Sequence, residues 1–302
     1  MTALPNKTLI VLAGPTAVGK TAYALQLAQL YKTEIVSADS RQLYKELNIA
    51  VARPNKDELN AVPHHFIASH SIFDEYNAGK YELEALEKIN ALFKKYDTVI
   101  LTGGTGLYIK AVTEGLDPLP QKNEALRNDL QKQYEAEGIS YLQNKAKEFG
   151  ITEEKVAFDN PQRLIRAIEI AEGKKDMPPR KRQKRDFRIC SYFLNRDRQE
   201  LYNRINLRVD QMVADGIEDE AKQLHFYSHI NALKTVGYNE FFAYFDGNSS
   251  YETCIEKIKQ NTRNYAKRQI TWFKNQGDYR ELPATFDLEF WMSELHRINK
   301  TP

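Results

Sequence analysis

The chain has 302 residues, 42% of them hydrophobic, with 43 Lys and Arg against 41 Asp and Glu for a net charge of +2. It can bury a large core, and a balance so near neutral excludes a uniformly basic nucleic-acid binder, so any such surface must come from clustered charge. Two widely spaced cysteines, Cys190 and Cys254, exclude a zinc finger or a disulfide scaffold, and with no leader-like N-terminus or apolar stretch near 18 residues the expectation is a soluble, cytoplasmic protein without membrane contact.

The first element is the apolar run Leu9-Ile10-Val11-Leu12-Ala13, which stops at Gly14 and resumes with helical spacing after Thr21. Between them, Gly14-Pro15-Thr16-Ala17-Val18-Gly19-Lys20-Thr21 fits the phosphate-binding loop Gly-x4-Gly-Lys-[Ser/Thr], whose backbone N–H groups wrap an anion at a helix N-terminus. Lys20 supplies positive charge to the outer phosphate, and the Thr21 hydroxyl is placed to ligate Mg²⁺. The loop predicts a bound di- or triphosphate and leaves the reaction open.

A helix is expected over 21–31 and a short strand over 33–38, ending at Asp39-Ser40-Arg41-Gln42. A strand's C-terminal end is where open α/β sheets bind ligands, but Asp39 serves equally well as a cap for whatever follows. His64 and His65 form an adjacent pair whose side chains point apart on a strand, a poor metal site. A helix over 76–95 precedes a buried strand over 98–102 that runs into Gly103-Gly104-Thr105-Gly106. ATP hydrolases often end such a strand in an Asp for Mg²⁺, and its absence disfavours that chemistry.

From residue 118 the pattern changes to three polar helices, 124–138, 140–149 and 160–173, with no strand between them, which predicts a helical insertion over 118–187 between core segments 1–117 and 188–302. Asn160 and Pro161 read as cap and first residue of the third helix. Gln162, Arg163 and Arg166 then place cations where the helix dipole disfavours them, which a polyanionic partner would explain. The basic connector 174–188 is read either as a solvated linker or as a polyanion contact. A strand follows over 187–194, then a helix over 198–224 carrying Arg204 and Arg208. On the last clear helix, 261–274, Arg263, Lys267, Arg268 and Lys274 share the chain with Tyr265, Trp272 and Phe273. That mixture suits either a phosphate-tracking, base-stacking surface or an amphipathic core helix.

In order, Gly-Pro-Thr-Ala-x-Gly-Lys-Thr at 14–21, Asp-Ser-x-Gln at 39–42, Pro-His-His at 63–65, Gly-Gly-Thr-Gly-Leu-Tyr at 103–108, Asp-Asn-Pro-Gln-Arg at 159–163, Val-Gly-Tyr at 236–238 and Ala-Lys-Arg-Gln-Ile-Thr-Trp at 266–272 resemble the tRNA dimethylallyltransferases. The resemblance runs from Ile10 to about Phe273. It implies an α/β fold, a nucleotide-kinase-like P-loop core with a parallel sheet, and an insertion domain that grips the anticodon arm. It also implies transfer of a dimethylallyl group from dimethylallyl diphosphate to N6 of the adenine next to the anticodon of tRNA, with Mg²⁺ as cofactor, by a protein expected to be monomeric.

The resemblance assigns the diphosphate to the loop Gly14 to Thr21, including Pro15, Ala17 and Val18, with Thr16, Lys20 and Arg208 aiding catalysis and Thr21 holding the metal. It makes Asp39 the base and places Ser40, Arg41 and Gln42 in the adenine pocket with Thr105 at the channel. It assigns tRNA contacts to Arg127, to Gln162, Arg163, Leu164, Ile165 and Arg166, to 234–239, and to Lys267, Arg268, Gln269 and Lys274. The chain departs from the pattern at Ala50-Val51-Ala52-Arg53-Pro54, where the family usually reads Gly-Thr-Ala-Lys-Pro, and it lacks the Cys/His zinc extension of eukaryotic members, which points to a bacterial type. Two rival readings remain open. A small-molecule kinase would transfer phosphate from ATP, and a non-catalytic tRNA binder would need no carboxylate beside the loop.

Overall fold

A computed structural model describes residues 7–117, 119–120, 122–154, 156–173 and 185–300. The elements run β1 (Thr8–Ala13), α1 (Lys20–Leu30), β2 (Ile35–Ser37), α2 (Lys56–Ala61), β3 (His64–His65), α3 (Ala78–Phe93), β4 (Thr98–Gly103) and α4 (Gly106–Thr113). Three helices follow, α5 (Glu124–Glu137), α6 (Ile139–Glu148) and α7 (Pro161–Gly173). The chain then continues through β5 (Arg188–Asn195), α8 (Arg198–Ala214), α9 (Ile217–Leu224), α10 (Tyr238–Phe245), α11 (Tyr251–Asn275), β6 (Arg280–Pro283) and α12 (Leu288–Lys300).

The six strands form one parallel sheet in the order β3-β2-β4-β1-β5-β6. Every residue of β1 is buried, as a central strand covered on both faces requires. Its side chains divide by the two-residue period of a strand: Leu9, Val11 and Ala13 join a core with Tyr81, Ala85 and Ile89 of α3, while Ile10 and Leu12 join one with Ala24 and Leu27 of α1. The expected P-loop core with a parallel sheet is therefore present. The carboxyl ends of β1, β2, β4 and β5 lead into the loops that begin at Gly14, Ala38, Gly104 and Arg196.

The chain divides into two compact units, 1–115 with 184–302, and 116–183. The second contains α5, α6 and α7 around Leu130, Leu142, Ala146, Phe158, Leu164, Ile165 and Ile168. Inside it the Glu169 carboxylate is buried and accepts from Asn123 N at 2.7 Å, from Arg127 Nε at 2.9 Å and Nη2 at 2.7 Å, and from Arg166 Nη1. Burial alone would raise this carboxyl, but those donors hold it down at about 2.

Several elements differ from the sequence reading. The helix expected over 198–224 breaks at Gly216, whose φ of 94° is left-handed, so that α9 sets off in a new direction. Helix α11 starts ten residues earlier than expected, where Ser250 caps it by accepting from Thr253 N at 3.2 Å. The strand 33–38 shortens to β2, and α2, α4, α10, β6 and α12 add to the expected elements, of which α2 and β6 are too short for a period to show.

Candidate active site

The phosphate loop joins β1 to α1 through two left-handed residues, Ala17 at φ 63° and Gly19 at φ 112°. The Gly19 conformation aims the start of α1 at the loop's interior, and that first turn carries neither a side-chain cap nor an acidic residue, which leaves its dipole available to an anion. Lys20 Nζ donates to the carbonyls of Gly14 at 2.9 Å and Pro15 at 2.7 Å. Burial, opposed by Asp39 and reinforced by Arg208, pulls the Lys20 ammonium down to about 7. Outside the loop, Arg196 Nε donates to Val18 O at 2.7 Å and Arg204 Nε to Ala17 O at 2.9 Å. Burial, then the neighbouring Arg204, lowers Arg208, and these two guanidiniums line the cavity with Lys20 while Arg196 pairs with Glu200.

Asp39 follows β2 as both sequence readings required. Its Oδ1 accepts from Arg41 N at 2.8 Å and Gln42 N at 3.2 Å, so it caps a turn, and it also lines the same cavity as Lys20. Oδ2 accepts no hydrogen bond from the described residues. Thr105 Oγ1 accepts from Ser40 N at 3.0 Å and lies 3.2 Å from Ser40 Oγ, joining the end of β2 to the end of β4. Arg41 donates to the carbonyls of Asn231 at 3.2 Å and Ala232 at 2.8 Å, and Gln42 Nε2 to those of Val51 at 3.2 Å and Ala52 at 2.9 Å. Both side chains line the cavity while bracing its walls. In the departing segment, Arg53 Nη2 turns inward toward the carbonyls of Tyr44 at 2.9 Å, Lys45 at 2.8 Å and Leu47.

These residues surround a cavity of about 1010 Å³ that also takes in Thr16, Thr21, Arg204, Arg208, Tyr265 and Arg268. Burial and the nearby Asp39 push the Tyr265 hydroxyl up to about 12, so it stays a neutral hydrogen-bonding group. Thr21 offers one hydroxyl and Asp39 one carboxylate, and no cluster of three or more His, Cys, Asp or Glu ligands occurs among the described residues. That donor set fits Mg²⁺, which takes few protein ligands and fills its shell with substrate oxygens and water. The two histidines turn to different partners, His64 Nδ1 to Val62 O at 2.8 Å and His65 Nε2 to Glu34 at 2.6 Å.

Three expected tRNA contacts need correction. Leu164 and Ile165 are buried in the core of the second unit, on the inward stripe of α7, whereas Gln162 and Arg163 on its outer side are exposed. Gln269 is also buried: its Oε1 accepts from Thr16 N at 2.8 Å and its Nε2 donates to Gly104 O at 2.9 Å, tying the phosphate loop to the end of β4. Lys267, Arg268 and Lys274 do face solvent, while Phe273 is buried and the Trp272 ring lies against Gly106. Phe273 thus belongs to the core and Tyr265 to the cavity, while the cations of α11 at 267, 268 and 274 are exposed. Arg127 and Arg166 are engaged by Glu169 within their own unit. Of the basic connector, residues 174–184 lie outside the described residues; Arg185 donates to Ala111 O and Val112 O and pairs with Glu82.

The sequence reading left Arg204 and Arg196 without a role. Arg204 was detectable, since it lies one helical turn before Arg208 and so on the same face.

The IPP transferase family model matches residues 42–276. The tRNA dimethylallyltransferase of Christiangramia forsetii is 45% identical over 275 residues, 89% of this chain and 91% of that protein. The tRNA dimethylallyltransferase 1 of Phocaeicola vulgatus is 44% identical over 297 residues, 97% of this chain and 99% of that protein. Among solved structures, the full-length tRNA isopentenylpyrophosphate transferase of Bacillus halodurans is similar with a TM-score of 0.69 and 32% identity, over 96% of this chain and 95% of that one. A eukaryotic dimethylallyltransferase acting on tRNA gives a TM-score of 0.72 at 25% identity, over 96% of this chain and 77% of that one.

Proposed function

This chain belongs to the IPP transferase family and transfers a dimethylallyl group to tRNA, and we propose that the group leaves dimethylallyl diphosphate for N6 of the adenine beside the anticodon. The observation that supports this reading is the meeting of a phosphate loop and a carboxylate in one cavity, which Lys20, Arg208 and Asp39 line together.

The diphosphate lies on the amides of the loop at the start of α1, with Lys20 and Arg208 neutralising the charge that builds as the C1–O bond breaks. Thr21 would hold Mg²⁺, which would supply further charge neutralisation to the leaving diphosphate. The adenine leaves the anticodon-loop stack and enters beside Asp39, Ser40 and Thr105, as base-modifying enzymes require. N6 attacks C1, and Asp39 takes one N6 proton as the C–N bond forms, since an exocyclic amine is a weak nucleophile until it loses that proton. The cap from Arg41 N and Gln42 N holds Oδ1, which leaves Oδ2 for this proton. Exposed Arg163, Lys267, Arg268 and Lys274 meet tRNA phosphates, and the protein works as a monomer in the cytoplasm.

The test is to incubate the protein with Mg²⁺, dimethylallyl diphosphate and bulk tRNA, then weigh the nucleosides. Adenosine heavier by one C5H8 unit, next to the anticodon, is the expected product. Phosphate transfer from ATP in its place would overturn the reading.

A further inference from the structure

One wall of the cavity is a segment without regular structure, residues 48–54, of which Ala50, Val51, Ala52, Arg53 and Pro54 line the space. Three successive amides on this segment converge on a single side chain from a distant helix. Glu220 of α9 accepts from Asn48 N at 3.1 Å and Ile49 N at 2.8 Å through Oε2, and from Ala50 N at 3.0 Å through Oε1. Tyr238 of α10 donates to the same Oε1 at 2.7 Å. Four donors on one carboxylate form an anion nest filled from within the chain.

From the other side Gln42 Nε2 holds the carbonyls of Val51 and Ala52. Glu220 and Gln42 thus pin the small apolar face Ala50-Val51-Ala52 in place, and Ala52 accepts a left-handed φ of 49° there. Behind this face Gly237 approaches closely, since a Cβ on it would come within 3.1 Å of Ala50 Cβ. The wall has little freedom to retreat. Val209, Met212, Val236 and Ile258 extend the same apolar lining.

Given the reading above, we propose that Glu220 is a positioning residue for prenyl-donor selectivity: by clamping residues 48–50 it holds the Ala50-Val51-Ala52 wall at the depth that admits a five-carbon chain and stops a ten-carbon one. Glu220 itself does not line the cavity, so its effect passes through the wall. A carboxylate is needed because only an acceptor-only group satisfies all four donors, whereas the amide of a glutamine turns two of its own N–H groups toward them.

The test compares dimethylallyl and geranyl diphosphate as donors for wild type, Glu220→Gln and Val51→Ala, with saturating tRNA, and measures the affinity of inorganic diphosphate separately. Glu220→Gln is expected to raise KM for dimethylallyl diphosphate and to shift the kcat/KM ratio toward geranyl diphosphate by about tenfold, the scale set by a loosened apolar pocket. Inorganic diphosphate affinity stays within a factor of about two, since the phosphate loop is untouched. Val51→Ala, which trims the wall and leaves the clamp intact, shifts the ratio in the same direction and keeps the question answerable if Glu220→Gln does not fold. An equal loss with both donors and an unchanged ratio in either variant overturns the proposal. Wild type that transfers no dimethylallyl group would instead overturn the underlying reading.

Discussion

The side-chain oxygen of Gln269 accepts the amide proton of Thr16 at 2.8 Å, a contact that spans 253 residues of sequence. The same side chain donates to Gly104 O, so a helix with a cationic outer face reaches through to the phosphate loop. Gln269→Glu keeps the acceptor for Thr16 but sets an oxygen against Gly104 O. A buried polar group left without its partner costs about 1–3 kcal/mol. Steady-state kinetics are expected to give a kcat/KM for the prenyl donor lower by a factor of about 5–150 at unchanged tRNA affinity. Unaltered donor kinetics would mean that the bridge has no part in placing the loop.

Lys20 near 7 in the free protein, against an ordinary value of 10.5, means that most of the lysine is neutral at mildly alkaline pH. A bound diphosphate favours the ammonium and raises that value, so binding takes up a proton above pH 7 and weakens as pH climbs further. Below 7 the lysine is already charged and the uptake vanishes. Calorimetry of inorganic diphosphate binding in buffers of different ionisation heat measures this directly, and Lys20→Met should abolish both the uptake and prenyl transfer while leaving tRNA affinity intact.

Asp39→Asn separates base from cap cleanly, because an asparagine Oδ1 can still accept from Arg41 N and Gln42 N. Thermal stability should stay near wild type, while the single-turnover rate falls on the order of 10²- to 10⁴-fold, the usual contribution of a general base. Recovery at high Mg²⁺ would recast the residue as a metal ligand, and an undiminished rate would leave it a cap only.

Binding of tRNA should weaken steeply with salt. Each phosphate contact made by Arg163, Lys267, Arg268 or Lys274 contributes roughly 0.7 to 0.9 to the slope of log K against log salt, so charge-neutral variants should flatten it stepwise. A slope insensitive to all four would mark them as solvated faces.

Glu169, held at about 2 against an ordinary 4.5, makes the helical unit acid-sensitive. A depressed carboxyl stabilises the fold fully above pH 4.5 and loses that contribution as pH falls through the range down to 2. Hydrogen exchange of α5–α7 amides should therefore accelerate across that interval, and Glu169→Gln should produce a similar loss at neutral pH, on the order of 2–3 kcal/mol.

The phosphate loop was legible because its residues are contiguous and their geometry is local, and the same holds for Asp39 at the end of β2. The roles of Glu220 and Gln269 were not, since each acts on backbone at least 165 residues away in sequence. The misplacement of Leu164 and Ile165 has a different origin. A motif carried over as a block ignores the 3.6-residue period, which turns Gln162 and Arg163 outward and those two inward. At the departure from the family pattern, Arg53 directs its Nη2 onto carbonyls of its own loop, a fold-back that residue type alone does not reveal.

Trp291 of α12 is fully buried and its indole N–H donates to Tyr23 OH of α1 at 2.8 Å, across 268 residues. The helix that follows the phosphate loop is therefore made well before this part of its covering. During synthesis Ala24 and Leu27 can settle on β1, β2 and β4 early, but Tyr23 keeps an unfilled side until Phe286 and Trp291 are made, after the whole helical unit and most of the second core segment. A nascent chain stalled before residue 291 would leave the Tyr23 hydroxyl without its indole donor, so the last part of the α1 packing is timed by the appearance of α12 and not by the emergence of the loop itself.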